Sequence, residues 1–127
     1  MDADTNNIMI CNNIPYKCSV TLALDIIGGK WKPLILWHLR DKVLRFGELQ
    51  RTLSGVTQKM LTQQLRELEA AGLINREVYT QVPPKVEYSL TDEGKTIIPI
   101  LEMISRWGAD YCKWVNNQTE SEPSINL

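Results

Sequence analysis

The chain has 127 residues, 43% of them hydrophobic, and its 14 Lys and Arg against 15 Asp and Glu leave a formal net charge of -1. That length supports one core rather than two, no run nears the roughly 18 apolar residues of a membrane span, and the balanced charge excludes a chain that is basic throughout. Cys11, Cys18 and Cys112 form no CxxC or Cys/His zinc spacing, and an odd count does not describe a secreted disulfide framework; a cytoplasmic protein without metal or cofactor is expected.

Residues 1–15 are polar and Asn-rich, lack the basic-then-apolar pattern of an export signal, and read as a flexible tail ending at Pro15. The folded domain is expected over 16–115. Its first helix, Ser19 to Ile27, is apolar over most of its surface and reads as buried, with Gly28-Gly29 as the break. WKPLILWHLR follows as a central core helix, Pro33 being tolerable in a first turn. Leu44-Arg45-Phe46 reads as a brief extended bridge into a helix from Gly47 to Leu53, and Ser54-Gly55 turns the chain.

Thr57 is placed to cap the next helix, which runs to Ala71 and ends at Gly72. Leu61, Leu65 and Leu68 recur at the steps that stack on one helix face, while Gln58, Lys59, Thr62, Gln63 and Arg66 lie away from it. Then LINREVYT and KVEYSL alternate like half-buried strands around TQVPPK, which predicts a β-hairpin. Thr91 is placed to cap a long last helix that Pro99 should kink. Residues 116–127 read as a second flexible tail. The last helix carries apolar residues on more than one face, and the stripe including Met103, Trp107, Tyr111 and Trp114 is a candidate subunit interface.

The predicted fold is therefore mostly α with a small β-hairpin: a winged helix-turn-helix with extra N- and C-terminal helices. In such a fold the second helix of the motif enters the DNA major groove and the hairpin lies on the neighbouring backbone. Between Lys30 and Arg66 eight basic residues face two acidic ones, a local charge of +6 on an otherwise acidic chain. Gln58, Lys59, Thr62 and Gln63 have the chemistry for base edges: amides for adenine, Lys for guanine, the Thr methyl for thymine. Arg45, Thr57, Arg66 and Lys85 are the candidate backbone contacts. An isolated polar helix face is usually only solvated surface; turn, wing and local charge together point instead to double-stranded DNA. The competing reading is a winged-helix protein–protein interaction module without DNA binding, whose mark would be a helix face poor in Lys, Arg and amides.

Cys18, DIIGGKWKPLILWHL (Asp25 to Leu39), LRFGELQRTLSGVTQKMLTQQLRELEAAGLINREVY (Leu44 to Tyr79), VPPKVEYSLTDEGK (Val82 to Lys95) and Trp107-Gly108 together resemble the HxlR family of bacterial and archaeal winged-helix regulators. The resemblance spans roughly Tyr16 to Tyr111. It implies a sequence-specific transcriptional regulator that binds an inverted-repeat operator as a homodimer built through its terminal helices. Cys18 matches an N-terminal cysteine through which some family members sense oxidants or electrophiles. A neighbouring Lys17 would favour the reactive thiolate, and the alternative for Cys18 is a small buried hydrophobe.

His38, the single histidine, sits in the apolar second helix and reads as packed rather than catalytic. No nucleophile–His–acid set, carboxylate pair or phosphate-cradling Gly loop accompanies it, so an enzyme is not expected. Trp31 and Trp37 are read as packing in preference to an effector pocket.

Overall fold

The computed structural model describes residues 8–121. Met9–Cys11 (β1) and Ile14–Tyr16 (β2) form an antiparallel hairpin. This corrects the expected loose tail for residues 8–15; residues 1–7 lie outside the described residues. Asn12 and Asn13 make the two-residue turn with φ of 52° and 66°, a pair of left-handed residues that matches strand twist and that Asn tolerates.

Ser19–Ile27 (α1) follows the predicted bounds, but none of its residues is buried, and Val20 and Leu24 are 57% and 59% exposed. The burial expected from its apolar composition is thus not supplied by the described residues. Trp31–His38 (α2) is the core helix, with Ile35 and Leu36 fully enclosed. Leu44–Arg45 (β3) leads into Phe46–Thr52 (α3), where the Arg45 amide donates to the Glu48 carboxylate at 2.8 Å and closes the first turn.

Gln58–Ala70 (α4) begins as expected: the Thr57 hydroxyl accepts the Met60 amide at 3.1 Å. It ends in a Schellman turn. Gly72 takes φ 80°, its amide donates to the Glu69 carbonyl, and the Leu73 amide donates to the Leu68 carbonyl, both at 3.0 Å. Leu61, Leu65 and Leu68 are buried against α2 and α3 residues such as Ile35, Leu36 and Leu49.

Ile74–Tyr79 (β4) and Lys85–Leu90 (β5) form the predicted hairpin. The sheet has a third strand, in the order β3-β5-β4, because Leu44 pairs with Tyr88 and Arg45 with Glu87. The bridge before α3 is thereby fixed to the wing. Thr91 caps only the short helix Asp92–Lys95 (α5): its hydroxyl accepts the Gly94 amide at 2.9 Å and donates to the Gly72 carbonyl at 2.6 Å, joining the end of α4 to the next element. At Gly94 a Cβ would collide with the Leu73 carbonyl oxygen, so this crossing requires glycine.

The single kinked helix expected here is two helices. Thr96 and Ile97 form a turn, and Ile98–Ser121 (α6) starts afresh with Pro99 in its first turn, where the missing amide costs no hydrogen bond. α6 also continues through residues 116–121, which were expected to be tail; residues 122–127 lie outside the described residues. No described helix is long and apolar enough to cross a membrane.

Candidate nucleic-acid interface

The three leucines that anchor α4 fix which way its remaining side chains point. Lys59, Gln63 and Arg66 are exposed on the face opposite the core, and Gln58 and Thr62 turn toward the wing. The Thr62 hydroxyl donates to the Gln58 carbonyl at 2.8 Å, so its hydrogen is used within the helix. Gln63 is held as well: its amide nitrogen donates to Glu67 Oε2 at 2.6 Å. The other Glu67 oxygen lies 2.5 Å from the ammonium of Lys32 on α2. These two partners, the Lys32 hydrogen bond first, hold the Glu67 carboxyl below the usual carboxylate range.

Local charge is thus distributed unevenly among the basic residues between Lys30 and Arg66. Lys32 is committed to Glu67. Arg40 lies over the Trp37 ring at 3.9 Å and 3.5 Å from Asp41, while Lys30 sits over Trp31 at 4.7 Å. Both tryptophans pack against the core, in keeping with a structural role. Lys59 and Arg66, by contrast, have no ion-pair partner among the described residues.

Beside this face runs a groove between α4 and the sheet, lined by Gln58, Thr62, Arg66 and the acidic Glu69 on one side and Arg76, Val86 and Tyr88 on the other. Arg76 is not among the residues that the sequence pattern marks. It pairs across the hairpin with Tyr88 and shares the face of buried Ile74, two residues earlier. A charged residue on the apolar face of an alternating strand is the signal that would have found it. Lys85, the expected wing cation, is less free: its ammonium is 3.6 Å from Glu87 and 4.3 Å from the Tyr79 ring centre. Arg45 is exposed on β3, opposite Glu87, and Thr57 is exposed at the helix entrance.

Residues 26–116 match the HxlR-like helix-turn-helix family. The chain belongs to the HxlR family. An HTH-type transcriptional regulator of Methanothermobacter thermautotrophicus is 54% identical over 108 residues, 85% of this chain and 82% of the relative. Among solved structures, the redox regulator HypR in its reduced form superposes with a TM-score of 0.74 at 49% identity, over 79% of this chain and 99% of that one. Its oxidized form gives 0.71 at 54% identity, over 73% and 96%. The fold is accordingly that of a winged-helix regulator.

Further features of this HxlR-type chain stand outside the α4 face. Cys18 is exposed at the entrance of α1 rather than packed in the core. The backbone amides of Thr21 and Val20, with the Thr21 hydroxyl, hold its thiol below the usual range; Lys17, the cation named from the sequence, is not among the causes. Cys11 and Cys112 are also unpaired thiols within the chain. On α6, Met103, Trp107, Tyr111 and Trp114 are all exposed. Trp107 and Tyr111 stack at 5.3 Å between ring centres, and Tyr111 meets Trp114 at 5.7 Å. The side chain of His38 is half-buried in α2; burial, then the charges of Arg40 and Lys42, push its imidazole below the ordinary value.

Proposed function

We propose that this HxlR regulator binds double-stranded DNA in the cytoplasm as a homodimer on an inverted-repeat operator. Each subunit places α4 in a major groove and the β4–β5 wing along the flanking backbone. The observation that carries this reading is the face of α4 itself: Lys59, Gln63 and Arg66 project together from a helix anchored by three buried leucines, and both cations lack an ion-pair partner among the described residues. Lys59, Gln58, Thr62 and Gln63 are the base-reading set, and Arg45, Thr57, Arg66 and Lys85 hold phosphates. The exposed aromatic ladder of α6 and the uncovered apolar side of α1 supply the surface that a second copy would cover. In the resulting dimer the two α4 helices stand about 34 Å apart, one DNA turn, or a multiple of it.

Gel shifts of the full chain on a pool of duplexes, followed by sequencing of the retained fraction, test this. The expected result is an inverted repeat whose affinity falls steeply with salt through counterion release. Absence of binding to any duplex at low salt would leave the interaction-module reading in its place.

The same proposal includes a thiol response through Cys18, supported by its exposure, its lowered pKa and the similarity to a redox regulator known in oxidized and reduced forms. Operator binding and non-reducing gels, before and after mild oxidant, should show a change in wild type that Cys18→Ser lacks. Equal behaviour of the two proteins would assign Cys18 no sensing role.

A further inference from the structure

Thr62 is held within its own helix, whereas the constraint on Gln63 reaches back to another helix. Lys32 has a side chain only 12% exposed, on the helix that carries fully buried Ile35 and Leu36. Its ammonium engages Glu67 Oε1, which leaves Oε2 for Gln63. An ionised carboxylate can only accept hydrogen bonds. The Gln63 group turned toward Glu67 is therefore its NH2, and its carbonyl oxygen is the end left uncommitted.

We propose that Glu67 is a positioning residue for base recognition: anchored by Lys32, it turns the Gln63 amide so that the carbonyl oxygen faces DNA, selecting adenine or cytosine on the facing strand. This rests on the DNA-binding reading given above and adds to it a chemical preference at one position. In the major groove adenine N6 and cytosine N4 are donors, whereas guanine N7 and O6 and thymine O4 are acceptors. A carbonyl oxygen complements the first pair and opposes the second. Without Glu67 the amide turns freely, and its NH2 can meet guanine or thymine equally well. A glutamine at this place would then discriminate little.

The alternative to an effect on reading is a merely structural Lys32–Glu67 pair joining α2 to α4. That role predicts lower stability and weaker binding to every sequence, with no change of preference. The two are separated by quantitative binding to a set of duplexes carrying each of the four bases at every half-site position. It is run with wild type, Glu67→Ala, Gln63→Ala and the double variant, each checked by thermal unfolding.

Wild type should favour A or C over G or T on one strand at one position per half-site. Glu67→Ala should reduce that preference by roughly 2- to 10-fold, the worth of one net hydrogen bond, while the other positions keep theirs. Once Gln63→Ala is present, Glu67→Ala should cause no further change at that position, the coupling expected of residues that act as a unit. Preference retained in Glu67→Ala, or lost equally at all positions, overturns the positioning role while leaving DNA binding intact. Failure of wild type to bind any duplex instead removes the DNA-binding reading on which it rests.

Discussion

The salt dependence of operator binding should report the two arginines that face each other across the groove. Arg66 on α4 and Arg76 on β4 line the same cleft, and neither has a carboxylate partner among the described residues. Each can neutralise a phosphate without first breaking an internal ion pair. A phosphate contact on duplex DNA contributes about 0.9 to the slope of log K against log salt, and a symmetric dimer makes each contact twice, so Arg66→Ala or Arg76→Ala should each flatten the slope by about 1.8. Between 50 and 200 mM salt, the wild-type affinity should then fall about 12-fold more than that of either variant. Fluorescence anisotropy titrations at four or five salt concentrations measure this directly. Lys85→Ala and Arg40→Ala serve as controls with smaller changes, because Glu87 and Asp41 already neutralise those cations in part. Slopes that stay at the wild-type value in both arginine variants would refute the assignment of this groove to the DNA backbone. A loss confined to certain base sequences would instead make these residues readers.

Trp107→Ala should dissociate the proposed dimer with little effect on the fold, since the indole is 67% exposed within one chain. A buried aromatic anchor is worth about 2 kcal/mol or more, and symmetry enters it twice, so the dimer Kd should rise by about three orders of magnitude. Sedimentation equilibrium reads this, and an unchanged Kd would remove the α6 ladder from the interface. His38 gives a pH dependence. Its imidazole is held below the ordinary 6.5 by burial, Arg40 and Lys42, so in acid the unfolded chain takes up a proton that the folded chain resists. Stability should therefore fall as pH drops through 6.5 toward the folded value, and His38→Gln should flatten that decline in urea unfolding curves.

Much of α4 is legible in the sequence because its signals are local. The Thr57 cap, the leucine spacing and Gly72 lie within a single helix and its ends, and each behaves as its chemistry requires. The wing is legible for the same reason: alternation and turn residues act over a few positions. What escapes is chiefly what depends on a second element. Nothing in SVTLALDII says what covers its apolar surface, so α1 reads as buried although the described residues leave it open. The pairing of β3 with β5 joins residues more than forty positions apart. The Asn12-Asn13 turn is local, yet the short polar stretch around it masks the strands that the turn joins.

The candidate site divides along the same line. Which residues leave the α4 core follows from helical spacing, and all five named polar residues lie outside it. Whether each is free to meet another molecule depends on neighbours that spacing does not contain. Lys32 and Lys59 are both lysines in the same basic stretch, but Lys32 is tied to Glu67 while Lys59 has no ion-pair partner among the described residues. Lys85 sits at the tip of the hairpin and Arg76 in the middle of β4: Lys85 leans on Glu87 and Tyr79, while Arg76 opens on the groove beside Arg66. Counting charge along the chain therefore marks a basic region without showing which of its cations already have a partner within the fold. Strand alternation corrects the count, since it places Arg76 on the face of Ile74 and Tyr88, where the sheet meets α4.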